Sequence, residues 1–175
     1  MPELITRLPP RASVRLQVSA RALPVATVIG GVALPGQPNT WAGGDPLIWW
    51  VSPDAWLIQS ACESDEFVAR LRADCMNLPC AVTDLSDALV TLVLEGPAAG
   101  PVLARGCGLD LRAGSFAAQS CARTRLAQTA VLIRRPASDR FELVVDRAAA
   151  QYLHDWLADA AAGIDIPSAG AGKRA

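Results

Sequence analysis

The sequence predicts an α+β fold: a single domain of two pseudo-repeated β-β-α units, with antiparallel sheets and helices packed against them. Three observations predict it. The chain has 175 residues, 51% hydrophobic and only 19% charged, which suits one well-filled core at ordinary domain size. Its apolar runs are short, many alternate with period two, and Gly, Pro and Asp separate them. Finally, LIWWVSPDAWLIQSACESDEFVARL shares its plan with AVLIRRPASDRFELVVDRAAAQYLHDWL: strand, Pro-containing turn, strand, amphipathic helix. Trp56 answers to Phe141, Phe67 to Tyr152 and Leu71 to Trp156, each pair 85 residues apart.

The elements follow in order. Residues 13–18 alternate and predict a strand, and Val25 to Leu34 a second, more apolar one, with Gly30-Gly31 marking a bulge or close backbone approach. Pro35 to Asp45 is a loop by its Gly and Pro content. Strands over 47–52 and 56–60 flank a turn at Pro53-Asp54. A helix over Glu63 to Cys75 turns Phe67, Val68 and Leu71 inward, with Ser64 suited to its N-cap. After Ala81 to Asp84, the run 89–96 reads as a strand buried on both faces. A short helix over Pro97 to Arg105 stops at Gly106. Strands over 122–127, 129–135 and 141–145 precede a helix from Arg147 to Ala161 with an Ala149, Leu153, Trp156, Leu157, Ala160 stripe. The expected organisation is 1–45 as N-terminal strands and a Pro/Gly-rich loop available for docking a partner, 46–161 as the core, and 162–175 as a flexible tail.

Charge and cysteine usage exclude whole classes. The net charge is −1 and the one Lys is Lys173, so the surplus of cations that nucleic-acid binding needs is absent. The longest uncharged apolar stretch, Val25 to Leu34, is about half of a bilayer span. No signal peptide precedes it, so a cytoplasmic protein is expected. Five cysteines without a CxxC pair, set among apolar neighbours, suit reduced thiols in that compartment.

No constellation reads as an active site. His154 is the only histidine and lies mid-helix beside Asp155, which removes His-pair metal sites and leaves one base for any triad. Ser115 lacks a nucleophile elbow, and Gly172-Lys173 lacks the first Gly and the Ser or Thr of a phosphate loop. The glycine pairs lack dinucleotide-site spacing, while Asp84 and Asp87 suit a turn and cap. No catalytic, cofactor-binding or metal-ligating residue is therefore assigned. An apolar chain without chemistry of its own suits a binding partner, and LIWWV sharpens this. Alternation sends Leu47, Trp49 and Val51 to one face and Ile48 and Trp50 to the other. Two readings stay open: one face meets another chain, making Trp41, Trp49 and Trp50 interface candidates, or the strand is buried wholly within its own domain.

The run 82–111 resembles a stretch of the sarcosine oxidase gamma subunit family: a D-S-containing strand, a second strand, G-P, a helix and G-C-x-L-D-L. Asp84, Ser86, Gly96, Pro97, Leu103, Gly106, Cys107, Leu109, Asp110 and Leu111 match. SPDAWLI (52–58) is similar to that family's G-P-D-E-W-L-L, with Ser52 for Gly, and 141–161 is similar to its closing strand and Y-L-x-x-W-L helix. The resemblance implies a fold like the folate-binding domain of aminomethyltransferases. The K-G-C-Y-x-G-Q-E signature of related iron–sulfur repair proteins is absent around Cys107. It also implies a non-catalytic subunit of a heterotetramer with larger alpha and beta flavoprotein subunits and a small delta subunit. The complex would demethylate sarcosine oxidatively to glycine, hydrogen peroxide and a one-carbon unit for tetrahydrofolate. FAD, FMN, NAD and tetrahydrofolate would belong to those partners. The alternatives are a free-standing folate-binding or one-carbon transfer protein, the equivalent subunit of another N-methyl amino acid dehydrogenase, or a thiol protein centred on Cys107.

Overall fold

The computed structural model describes residues 4–19 and 27–164. In chain order they form β1 (Ile5–Arg7), β2 (Ala12–Val18), β3 (Val28–Ile29), β4 (Val32–Ala33), β5 (Trp41–Gly43), β6 (Leu47–Ser52), β7 (Ala55–Ser60), α1 (Ser64–Asp74) and β8 (Cys80–Asp84). Then follow β9 (Leu89–Glu95), α2 (Ala99–Ala104), β10 (Cys121–Leu126), β11 (Thr129–Ala137), β12 (Arg140–Asp146) and α3 (Arg147–Ala162).

Period-two alternation sorts these strands into layers. Val14, Leu16, Ile48, Trp56 and Ile58 point one way and pack on Phe67, Val68 and Leu71 of α1. Leu92, Leu94, Ile133, Phe141 and Leu143 pack on Val102 and Leu103 of α2 and on Leu153 and Leu157 of α3. The other faces of the two sheets meet each other through Leu47, Trp49, Leu57, Leu132 and Val144. The order is thus helix, sheet, sheet, helices, with a core on each side of each sheet. This is why β7 is buried along its whole length and why LVTLVLE reads as apolar on both faces.

The internal repeat is real at the level of topology. The N-terminal sheet runs β5-β6-β7-β2-β8 and the C-terminal sheet β10-β11-β12-β9-β1, so β2 corresponds to β9 and α1 to α3. The Trp49↔Leu57 and Leu47↔Gln59 pairs have their counterparts, 85 residues on, in Arg134↔Glu142 and Leu132↔Val144. Even the register irregularities correspond, between Trp50 and Ser52 in one hairpin and between Arg134 and Ala137 in the other. Among the described residues, no strand after α3 takes the position that β8 takes after α1. Instead β1, from the start of the chain, pairs with β9 there.

Several expectations need correction. Val25 to Leu34 is not one strand: residues 25 and 26 lie outside the described residues, and β3 and β4 form a tight hairpin. Gly30 and Gly31 are its two turn residues, with φ of 58° and 81°, both in the region that β-branched neighbours avoid. The N-cap of α1 is Glu63, not Ser64, and no side chain caps it. The helix echo holds in register but not in every side chain. Phe67 is 2% exposed, whereas Tyr152 is 52% exposed and sends its hydroxyl to the Ala127 carbonyl at 3.0 Å. The stripe of α3 runs through Ala150 in place of Ala149, and Trp156 turns aside to reach the α2 end. Residues 165–175 of the expected tail lie outside the described residues.

Trp156 gives Gly106 its purpose. The α2 helix ends at Ala104, with Arg105 as its C-cap, so Gly106 does not stop it in a left-handed conformation. A Cβ at Gly106 would lie 2.4 Å from Trp156 Cη2 and 2.8 Å from Cζ2. The glycine is there for room. Gly106→Ala is expected to destabilise the chain by about 1–3 kcal/mol through overpacking. Replacing Trp156 by Leu in the same variant should restore most of that loss in urea unfolding.

Candidate functional site at the seam of the two sheets

Seam-facing positions of the two sheets should be apolar, and most are. The exceptions form a buried polar centre. In β11 and β12, Arg134 and Glu142 face the seam at 9% and 5% exposure. Both Nε and Nη2 of Arg134 donate to Glu142 Oε2, at 2.9 and 2.6 Å. Arg140 donates to the other Glu142 oxygen at 3.5 Å and to Glu95 at 2.7 Å. The Arg134 guanidinium stacks on Trp41 at 4.3 Å and on Trp49 at 5.4 Å from the ring centroids. Burial pulls its pKa below the ordinary guanidinium value and the Glu142 carboxylate opposes that pull. Trp49 and Arg134 are counterparts in the repeat, so the two halves of the molecule meet as ring and cation.

A second polar set lies beside it. Gln59 Oε1 accepts from Trp49 Nε1 at 3.0 Å, and Gln59 Nε2 donates to Ser13 Oγ at 3.2 Å and Thr91 Oγ1 at 3.4 Å. Ser13 on β2 and Thr91 on β9 occupy equivalent places, each opposite the counterpart pair Gln59 and Val144. One amide thus ties both sheets together, and every polar atom it offers is engaged.

These contacts relocate the interface candidates. Trp49 is 0% exposed and lies between the sheets, so it presents no surface to another chain. Trp50 is half-buried on the α1 side, opposite Trp56. Trp41 is half-buried over Arg134; its indole N–H is buried without a hydrogen-bond partner among the described residues. The wholly internal reading of LIWWV therefore holds for its central residue, while Trp50 and Val51 stay half-buried.

The remaining candidates have structural roles. Asp84 Oδ1 accepts from the Ser86 amide at 2.9 Å and hydroxyl at 2.6 Å, a turn lock that holds its carboxyl below the usual range. Ser86 Oγ then accepts from the Ser13 amide at 3.0 Å, which joins the turn to β2. Asp110 accepts from the Arg112 amide and guanidinium and from Ser115 Oγ, closing its own loop. Arg135 donates to the carbonyls of Leu111 and Phe116, both at 3.3 Å, and so clamps that loop onto the sheet. Ser115 and Asp110 thereby have local partners. His154 is partly exposed beside Asp155 at 3.3 Å. All five cysteines are free thiols. Burial pushes Cys75 and Cys121 up to about 12, which leaves them protonated and unreactive at neutral pH. Among the described residues no group of three or more His, Cys, Asp or Glu side chains could hold a metal ion, and no helix is long and apolar enough to cross a membrane.

Sequence reasoning passed over Arg134, Glu142 and Gln59. The signal that finds them is alternation itself: in AVLIRRP and FELVV, the phase that puts Val131, Ile133, Phe141 and Leu143 against the helices puts Arg134 and Glu142 on the opposite, equally enclosed face.

Two sheets face to face with helices outside define the class. The fold is that of the glycine cleavage aminomethyltransferases: the chain superposes on aminomethyltransferase T from Bartonella henselae with a TM-score of 0.61 at 20% identity, over 87% of this chain and 44% of that one. Its likeness to a chain of the heterotetrameric sarcosine oxidase from Corynebacterium sp. U-96 is greater, with a TM-score of 0.81 at 25% identity over 93% of this chain and 86% of that one. The description "sarcosine oxidase, gamma subunit family" matches residues 18–163, and the chain belongs to that family. Sarcosine oxidase subunit gamma of Corynebacterium sp. strain U-96 is 30% identical over 152 residues, covering 82% of this chain and 74% of the relative. That of strain P-1 is 32% identical over 153 residues, with the same coverage.

Proposed function

We propose that this chain is the gamma subunit of a heterotetrameric sarcosine oxidase, a cytoplasmic, non-catalytic partner of the larger flavoprotein chains that perform the redox step. The observation that carries the reading is the match to the gamma subunit family over residues 18–163, which takes in every described element from β3 to α3. In the buried polar centre Arg134 is bonded to Glu142 and stacked on the tryptophans, and Gln59 is bonded to Trp49, Ser13 and Thr91, a structural role for all three. In this reading FAD, FMN, NAD and tetrahydrofolate are held by the alpha and beta subunits. The complex converts sarcosine to glycine, hydrogen peroxide and a one-carbon unit. Residues 1–45 supply part of the docking surface, with Trp41 and Trp50 the remaining tryptophan candidates. The free-standing folate-binding alternative is not favoured.

The test is to purify the full chain alone and together with the large flavoprotein subunits. The lone chain is expected to be colourless and inactive on sarcosine, and to co-elute with the yellow chains when they are present. Flavin held by the lone chain, turnover of sarcosine by it, or failure to join the complex would overturn the proposal. Calorimetric binding of tetrahydrofolate to the lone chain at micromolar affinity would support the free-standing alternative instead.

A further inference from the structure

The apolar layer between the sheets is not sealed along its whole length. Where Leu57, Leu132 and Val144 end, a half-open cleft of about 270 Å³ remains. Its lip is made by Val51, Leu85 and Leu89, each only half-buried although each packs on the seam core. Two arginines stand at the cleft, Arg15 from β2 and Arg123 from β10. Both are exposed, and neither side chain makes a hydrogen bond or ion pair among the described residues. Arg15 exerts only a weak pull on the Asp54 carboxylate, which is already bonded to Ser52 and Gln17. One acidic residue, Asp146, shares the lining, so the cleft carries an excess of one positive charge in a chain of net charge −1.

We infer that this cleft receives a segment of the large flavoprotein partner in which an apolar side chain is flanked by Asp or Glu. The inference rests on the subunit reading proposed above. The apolar floor takes the side chain and extends the seam core, while the two unpaired guanidinium groups take the flanking carboxylates in bidentate fashion. Size and charge select this occupant. The volume lies at the small end of the roughly 300–1,000 Å³ of small-molecule pockets and suits one or two large side chains. A second copy of this chain is disfavoured, because a two-fold contact through the cleft would bring Arg15 and Arg123 against their own copies.

The experiment uses the assembled complex and two variants. Arg15→Glu with Arg123→Glu reverses the rim, and Ala130→Trp, at an exposed lining position, fills the mouth without touching the core. Both are expected to melt like the wild-type chain yet bind the large subunits at least about tenfold more weakly near 0.15 M salt, with the reversed rim losing the salt dependence of association. A photo-crosslinking amino acid at position 130 should capture a partner peptide carrying an apolar residue beside Asp or Glu. Wild-type assembly by both variants overturns the cleft assignment and leaves the subunit reading standing. So does a captured peptide without acidic residues, a crosslinked second copy of this chain, or a small molecule retained by the lone chain. A wild-type chain that never joins the large subunits overturns both.

Discussion

Glu142→Ala is expected to cost the folded chain about 3–5 kcal/mol, because it strands a buried cation. The Arg134 guanidinium lies against the rings of Trp41 and Trp49 and gives two hydrogen bonds to one carboxylate oxygen. Removing that carboxylate leaves the charge desolvated, with Arg11 and Arg140 near enough to repel it. Set against a total stability of roughly 5–15 kcal/mol for a domain, the variant should be close to unfolding at room temperature. Glu142→Gln keeps an acceptor and should lose less. The double variant Arg134→Met, Glu142→Leu should recover most of the loss, since a buried pair is often no better than a well-packed apolar one. Urea unfolding followed by tryptophan fluorescence reads all three. The single-variant loss should persist in high salt, which screens exposed pairs far more than buried ones. A loss below about 1 kcal/mol for Glu142→Ala would mean that the guanidinium reaches water and that the seam is not closed there.

Much of this architecture is legible in the residues, and what is not has a physical cause. The strands of the two hairpins, their turns and the helices after them follow from period and punctuation, and the 85-residue echo gives the two halves. Side chains at the seam hide that symmetry, because Trp49 answers to Arg134 and Leu57 to Glu142. No comparison of residue types pairs them; only the shared register does. The ambiguity of LIWWV has the same root. A strand apolar on both faces is required equally by a partner chain and by a second sheet of its own, and the choice depends on where residues more than 70 positions away come to rest. The helix echo breaks at Tyr152 because the two helices have different neighbours: α3 packs beside α2 and sends Tyr152 to the Ala127 carbonyl, whereas α1 shares its core with the β3–β4 hairpin. The place of β1 is likewise beyond local reading: three residues at the start of the chain complete a sheet whose other strands begin at Leu89.

Trp49→Ala separates a core residue from an interface residue in one measurement. Trp49 fills the seam with its ring, lends one face to Arg134 and donates its indole N–H to Gln59. Truncation opens a cavity worth about 3–5 kcal/mol for a buried Trp. It also leaves Gln59 Oε1 without its donor, a further cost of about 1–3 kcal/mol that overlaps with the first. The expected result is a large drop in the urea midpoint of the lone chain, with partner binding lost only as far as the fold is lost. Trp49→Phe keeps most of the ring and should give up chiefly the hydrogen bond, about 1–3 kcal/mol. A residue held for docking would behave in the opposite way: its removal would leave the midpoint where it was and weaken assembly at temperatures where the chain is fully folded. Should Trp49→Ala follow that second pattern, the two sheets must part in the complex and hand their seam to another subunit.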